Sequence, residues 1–278
     1  MPKHLALAEC PRVVLVDDAS TDGTAGAVEA MGAVDVIRLE RNLGGAARNA
    51  GLRAVEAPYV AFCDDDSWFA PGALRVAADL LDRHRRLAVV NGHILVGPEE
   101  RPDPSCEEMA RARLPAADGQ PGHPLLSFIA CAVVVRRAAV LEVGGFSERL
   151  GMGGEEELLG WDLAAAGWQM SYVPEVIVHH HPPPNDGRPE RREQFLRNAL
   201  LATWLRRPAR TAAARTFELL LGSPRDRFSA RGVARAVAGA PWVLRERRVG
   251  PPHVEAMRRL LDRHRTSIRA PTDFGRTD

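Results

Sequence analysis

Two short apolar runs in this chain each break into carboxylates. Arg12-Val13-Val14-Leu15-Val16 runs into Asp17-Asp18, and Tyr59 to Cys63 runs into Asp64-Asp65-Asp66. A short apolar run bounded by turn signals reads as a buried strand of a parallel sheet. Ligands of open α/β sheets sit beyond the carboxyl ends of such strands. Three consecutive acids repel one another and are costly to hold unless something positive joins them. A hard divalent cation with oxygen ligands is one answer, and such ions commonly hold substrate phosphates as well. A solvated acidic turn that caps a helix begun by Pro71-Gly72-Ala73-Leu74 is the other. The acids by themselves leave both readings open.

The order of patterns around these runs predicts an α/β fold. Thr24 to Met31 is Ala-rich and helical, Val34 to Leu39 reads as a strand, and Arg41 to Gly51 passes from a Gly-containing loop into a helix. Strand and helix patterns that alternate in this way argue for βαβ units and a parallel sheet. Further on, Ala73 to His84 reads as a helix, and Leu87 to Val90 and His93 to Val96 as two strands. Residues 97–124, rich in Pro, Gly and charge, read as a long loop, and such loops are commonly functional or mobile. Phe128 to Val135 reads as a strand and Arg137 to Val143 as a short helix. The helix that starts at Gly153-Gly154-Glu155-Glu156-Glu157 stops at Gly167. Acids in its first turn suit the helix dipole, so a purely structural account of them exists. Met170 to Val178 is a strand that runs into His179-His180-His181.

From Arg188 on, the character changes. Helical segments with apolar faces (Phe195, Leu196, Leu200, Trp204; Phe217, Leu220, Leu221; Val233, Val237, Trp242, Val243) alternate with Arg, which outnumbers the acids. The expected division is residues 1–187 as one α/β domain and 188–278 as a basic helical appendage. Its Arg side chains are either simply solvated or dock to an anionic surface such as membrane phosphates. A net charge of +1 over 278 residues argues against a nucleic-acid partner. The four cysteines form no CxxC pair, and Cys63 and Cys131 lie inside apolar runs, as buried thiols of a reducing compartment would. No apolar run is long enough for a membrane span, and the N-terminus has no signal-peptide core. The expected location is cytoplasmic, with peripheral contact at the inner face of the membrane through the basic helices.

Taken in order, the motifs resemble those of the family 2 glycosyltransferases. Val16 to Thr24 is similar to that family's first donor-binding motif, and Arg41-Asn42-x-Gly44-x-x-x-Arg48-Asn49-x-Gly51 to its next. Asp64-Asp65-Asp66 fits its Asp-x-Asp metal motif. Gly144-Gly145-Phe146-x-Glu148 followed by Gly154-Glu155-Glu156 resembles its acceptor-side turn and its Glu-Asp pair, with Glu156 where Asp is usual. Tyr172-Val173-Pro174 and the His that follows match its last element, and the resemblance spans residues 5–185. It implies the GT-A fold, a Rossmann-like mixed sheet, here with a C-terminal helical appendage. It also implies transfer of a sugar, with inversion, from a nucleotide-diphospho-sugar to an acceptor hydroxyl whose identity stays open.

The resemblance also assigns roles. Asp66 would be a direct ligand of Mg²⁺ or Mn²⁺, and Asp64 would face the ribose or a metal-bound water. Such a cation acts as a Lewis acid on a diphosphate leaving group. Asp17 and Asp18 belong to the donor-binding motif, with Asp17 on the base or ribose. Arg48 would meet a phosphate, pair with an acid of the site, or form a helix-to-sheet salt bridge. Glu156 is the candidate general base and Glu155 the next in register. Neighbouring His residues of a strand point to opposite faces, so His179, His180 and His181 cannot all bind one ion. Spacing from Pro174 in the family makes His180 the metal ligand, with His179 next.

One unit of the family pattern is missing. Members begin with a strand and helix ahead of the motif seen here at 16–24, and Lys3 to Glu9 looks like the tail of that helix. The expectation is a start assigned too far downstream. Two alternatives to the transferase are a nucleotidyltransferase and a sugar- or nucleotide-binding module that has lost activity. The first would want a Gly-rich, Lys-bearing phosphate loop near the N-terminus, where Lys3 is the only lysine of the chain.

Overall fold

A computed structural model describes residues 2–183 and 189–267 of the chain. After a single helical turn α1 (Pro2–Leu5), the chain builds β1 (Val14–Asp17), α2 (Thr24–Glu29) and β2 (Asp35–Arg38). A 3-10 turn, Gly44–Ala47, leads into α3 (Arg48–Ala54), followed by β3 (Tyr59–Phe62), β4 (Ser67–Phe69), α4 (Ala73–Arg83) and β5 (Leu87–Val96). The stretch read as a long loop carries β6 (Arg101–Pro102), α5 (Pro104–Arg111) and β7 (His123–Pro124). Asp103 starts α5 by accepting the Ser105 N–H at 2.8 Å, with Pro104 in the first helical position, where no amide donor is needed. Then come β8 (Val133–Arg136), α6 (Arg137–Glu142), α7 (Glu155–Ala165) and β9 (Gln169–His180). The described residues end with five helices: α8 (Pro189–Arg206), α9 (Ala209–Gly222), α10 (Arg227–Ala238), α11 (Ala240–Glu246) and α12 (Pro252–Ser267).

The sheet is mixed, and this corrects the parallel sheet that strand–helix alternation suggested. The larger sheet runs β3-β8-β5-β9-β4, with β6 on β5 and β7 on β9. In it only β5 and β9 are parallel; β3–β8, β5–β8 and β4–β9 are antiparallel. β1 and β2 pair with each other in parallel and form a separate two-stranded sheet. An apolar run shows that a strand is buried but not which neighbour it takes.

Two strands read from the sequence, Leu87–Val90 and His93–Val96, are one strand, β5, with a register shift against β9 between Asn91 and His93. Gly92 makes the irregularity possible, because a Cβ there would fall on the carbonyl oxygen of Val176. The strand expected to begin at Phe128 starts at Val133, after a 3-10 turn at Ala130–Ala132.

The core lies on both faces of β5 and β8. Leu87, Val89, Val90, Val133 and Val135 are sealed from solvent by Leu81 of α4, Val140 of α6 and Leu163 of α7. Leu196, Leu200, Leu201 and Leu205 of α8 belong to that same core. The C-terminal helices are therefore continuous in packing with the sheet. The expected boundary at 187/188 falls outside the described residues.

Candidate active site

The acids that end β1 and β3 come to one edge of the molecule by different means. Asp17 is buried at the end of β1 and accepts the Ser20 N–H at 3.3 Å. Asp18 turns inward. Its two carboxylate oxygens accept the backbone N–H groups of Leu43 (2.6 Å) and Gly44 (2.8 Å). Asp18 thus holds the 41–44 loop beside the end of β1, which leaves its effect on a ligand indirect. Gly44, at φ +60°, and Gly45 then let this loop close on the segment before α7. The Gly45 N–H donates to Gly151 O at 3.0 Å, and a Cβ on Gly45 would occupy the space of the Glu155 carboxylate.

Arg48 opens α3, and its Nη2 donates to Asp64 Oδ1 at 2.7 Å. Arg48 on α3 thus pairs with an acid just past β3, which fits both the pairing with an acid of the site and the helix-to-sheet salt bridge expected for it. The next residue, Asn49, has a role that the sequence reading missed. It is buried, donates to Phe146 O at 2.8 Å and accepts the Phe146 N–H at 2.9 Å. Asn49 thereby fixes the Gly144-Gly145-Phe146 turn. Gly145 has no side chain to spare there, since a Cβ would meet Asn49 Oδ1.

The triplet Asp64-Asp65-Asp66 does not cap a helix. It turns directly into β4, and α4 begins only at Ala73, with Gly72 as its N-cap. Ser67, also missed from sequence, pins this turn. It is buried, its Oγ accepts the Asp64 N–H at 2.9 Å, and it donates to Cys131 O at 3.1 Å. Asp65 is exposed. Asp66 is drawn inward, with its backbone carbonyl accepting the His181 N–H at 2.8 Å. Burial, and the charges of Asp65 and Asp64, push the Asp66 carboxyl above the usual carboxylate range in spite of His180.

β9 brings the histidines alongside. His180 pairs with Ser67 across the β4–β9 ladder, and its Nε2 lies 3.4 Å from Asp66 Oδ1. That oxygen is buried and has no hydrogen-bond partner. His179 stacks on Trp68 with ring centroids 5.2 Å apart, and its Nδ1 lies 3.0 Å from Glu100 Oε1. His181 meets Trp68 edge-on at 4.7 Å. The acid turn therefore faces one histidine, His180. Among the described residues no three His, Cys, Asp or Glu side chains converge as a metal cage.

Glu155, Glu156 and Glu157 form the first turn of α7 behind Gly154, which has φ +90°. Glu155 is 0% exposed, and neither of its carboxylate oxygens has a hydrogen-bond partner. Burial first, and the charge of Glu156 second, push Glu155 up to about 7, while Arg48 pulls the other way. Glu156 keeps contact with solvent, and burial raises its carboxyl too, again against the pull of Arg48.

Glu155 should therefore impose a pH dependence on folding. In the fold it keeps its proton to higher pH than the ordinary carboxyl near 4.5, so its contribution turns against the native state as pH rises toward 7. Glu155→Gln is expected to stabilise the protein by about 3 kcal/mol at pH 8 and by little near pH 4. Denaturant titrations at the two pH values measure this, and equal effects at both would contradict it.

The chain also resembles known proteins in sequence and in fold. The family described as Glycosyl transferase family 2 matches residues 9–144. The N-acetylglucosaminyl-diphospho-decaprenol L-rhamnosyltransferase of Mycobacterium tuberculosis (strain ATCC 25618 / H37Rv) is 30% identical over 210 residues, which cover 63% of this chain and 68% of that protein. The pre-mycofactocin glycosyltransferase of the same strain is 30% identical over 203 residues, 68% of this chain but 40% of that protein. Among solved structures, the mannosyltransferase PcManGT from Pyrobaculum calidifontis in complex with GDP-Man and Mn²⁺ superposes with a TM-score of 0.55. It is 19% identical, and the match covers 93% of this chain and 73% of that one, a likeness of fold.

Proposed function

The chain belongs to glycosyl transferase family 2, as an enzyme of GT-A fold that transfers glycosyl groups, and from that premise we propose a metal-assisted transfer that inverts the anomeric carbon. The donor is a nucleotide-diphospho-sugar and the acceptor a hydroxyl group, with the sugar-bearing intermediates of envelope glycans as the acceptor class to test first. The observation that carries this reading is the Asp66–His180 pair beside the Arg48–Asp64 pair, with the charge of the same Arg48 acting on Glu155 and Glu156.

Glu156 is the general base. It takes the proton of the acceptor hydroxyl, whose oxygen bonds to the anomeric carbon while the bond to the diphosphate oxygen breaks. The diphosphate leaves with the electron pair. Partial exposure of Glu156 supports this register over Glu155, which is sealed behind Gly45. Asp17 binds the base or ribose, and Asp18 shapes that pocket through the 41–44 loop. Arg48 orients Asp64 toward the ribose or a metal-bound water.

Asp66 and His180 fit a divalent cation. Asp66 Oδ1 and His180 Nε2, 3.4 Å apart, would both hold such an ion. A buried carboxylate oxygen without a partner is what such an ion would satisfy. Mg²⁺ or Mn²⁺ commonly keeps waters and substrate phosphates as its other ligands, so two protein ligands suffice. When bound, the ion supplies Lewis-acid stabilisation of the diphosphate.

The test is a panel of nucleotide-sugars with Mn²⁺ and with lipid-diphospho-sugar and simple glycoside acceptors, read as release of nucleoside diphosphate and formation of glycosylated product. A chelator, or Asp66→Ala, is expected to cut transfer by about 100-fold or more. Transfer indifferent to both would remove the cation from the mechanism.

The same proposal extends to peripheral contact with an anionic bilayer, at the inner face of the membrane of a cytoplasmic enzyme. Phe217 (64% exposed) and Leu221 (64%) stand with Leu220 on one side of α9, next to exposed Arg225 and Arg227. Apolar tips flanked by Arg suit a headgroup boundary. Among the described residues no helix is long and apolar enough to cross a membrane. Co-sedimentation with phosphatidylglycerol vesicles is expected to fall at least tenfold in Phe217→Glu/Leu221→Glu and to weaken with salt. Equal binding to phosphatidylcholine vesicles, or no binding to either, would refute it.

A further inference from the structure

The segment that delivers the glutamate pair, 149–154, contains Gly151, Gly153 and Gly154, all with positive φ (71°, 88° and 90°). Such a segment is conformationally permissive and has much entropy to lose on ordering. It is held from outside, by α8. Asn198 is sealed from solvent, and the two N–H groups of its Nδ2 are shared among three carbonyls of this segment, Leu150 (2.9 Å), Met152 (3.1 Å) and Gly153 (2.6 Å). Arg197 fixes the orientation of the amide by donating to Asn198 Oδ1 at 2.7 Å, and its other nitrogen reaches Arg149 O at 2.9 Å. The Cβ of Asn198 lies 3.6 Å from where a side chain on Gly154 would begin.

We propose that Asn198 is a positioning residue for glycosyl transfer: by gathering the carbonyls of residues 150–153 it sets the start of α7, and with it the place of Glu156 and the seating of Glu155 against Gly45. The inference rests on Glu155–Glu156 being the catalytic pair. It gives the C-terminal helices a part in the reaction that is distinct from surface contact. Asn198 is not needed to hold α8 itself. Leu196, Leu200, Leu201 and Leu205 bury that helix in the core, and Arg206 makes two bonds to Asp162 of α7, at 2.5 and 2.8 Å. Loss of the Asn198 amide therefore releases the carbonyls of Met152 and Gly153, nearest the glutamates, and leaves the helix docked, while Arg197 and Gly45 still hold Arg149 and Gly151. The donor-side residues Asp17, Arg48, Asp64, Asp66 and His180 stand on other elements and keep their places.

The test compares Asn198→Ala and the milder Asn198→Ser with the unchanged chain. A misplacement of about 1 Å can cost roughly 100-fold in rate, so turnover is expected to fall by about 30- to 100-fold in Asn198→Ala, with donor affinity within about twofold. Unchanged turnover would overturn the proposal, and so would turnover and donor affinity falling in parallel.

A second measurement needs no turnover. The Glu155 carboxylate lies against Gly45, and the charges that act on it are Glu156 of its own helix and Arg48 of α3. If Asn198 keeps Glu155 dry, the extra stability that Glu155→Gln brings at pH 8 should shrink by half or more in an Asn198→Ser background. If it stays the same, Asn198 does not act on the pair. This cycle stands even if no donor of the panel is turned over, so failure of the transferase reading and failure of this inference are told apart.

Discussion

Glu156→Gln is expected to slow glycosyl transfer by about 10²- to 10⁴-fold, the usual worth of a positioned general base. The substitution keeps shape and hydrogen-bonding capacity and removes only the ability to accept a full proton. Donor binding should survive, because Asp17, the Arg48–Asp64 pair and the Asp66–His180 pair stand on other elements. A loss confined to turnover, with donor affinity kept, is the pattern of an interaction made at the transition state. The remaining pH dependence adds a second signature. Burial raises both glutamates of the pair, so transfer by the unaltered chain should climb with pH at values above the ordinary carboxylate range. In Glu156→Gln that climb should flatten. Turnover within about threefold of normal would exclude Glu156 as the base, and Glu155 would be the next residue to test.

The second large effect lies far from the acid turn. Arg207 is 4% exposed at the end of α8 and is held by two carboxylates of α12. Its Nε and Nη2 donate to Glu255 at 3.1 and 3.0 Å, and its Nη1 to Asp262 at 2.7 Å. Removing one partner of a buried ion pair strands the other, which costs about 3–5 kcal/mol. Arg207→Met should come near the lower end, about 3 kcal/mol, for two reasons visible in the structure. Arg259 still reaches Glu255 at 3.2 Å, and Arg258, buried over the Trp161 ring, loses a like-charged neighbour.

The pH dependence of that loss follows from Glu255. Burial alone would raise its carboxyl, but the Arg207 bonds prevail and hold it below the ordinary value of 4.5. Its contribution is therefore present above pH 4.5 and is lost as pH falls through the lowered pKa. The penalty of Arg207→Met should then be full at pH 7 and shrink in acid. Denaturant melts at the two pH values decide it, and a penalty under about 1 kcal/mol at pH 7 would mean that water reaches the cluster.

The acids were legible in the sequence because apolar runs ended on them, and the glutamates because a helix began on them. What the structure adds depends on partners that no local pattern encodes. Asn49, Ser67 and Asn198 are polar residues in ordinary-looking contexts, and each is buried only because backbone carbonyls or amides from distant segments turn toward it. A buried amide or hydroxyl must be satisfied, and the distant partners that satisfy these three are not written in the local sequence, even at Asn49, which lies inside a family motif. Strand direction was hidden for a similar reason. Tyr59–Phe62 reads the same whether its neighbour is parallel or antiparallel, and β8 arrives antiparallel. The mixed sheet came from the family resemblance and not from periodicity. Gly92 carried a usable signal, since an isolated glycine in a strand pattern often marks a bulge. Reading the two halves of β5 as separate strands overlooked it.

Among the described residues, the small sheet of β1 and β2 shares no ladder with the seven-stranded sheet. Asp17 and Asp18 stand on the far side of that seam, and the Arg48, Asp64 and Asp66 group on the near side. The β1–β2 sheet is held by the bonds of Asp18 to the 41–44 loop and by α3, whose Gly51 packs on Val16 of β1. Such a seam divides a protein into units that open at different free energies. A nucleotide-sugar spanning it would act as a removable fastener. Its dissociation constant would then contain the work of closing the two halves, and a saturating donor would protect the β1–β2 amides more than those of β5 and β9.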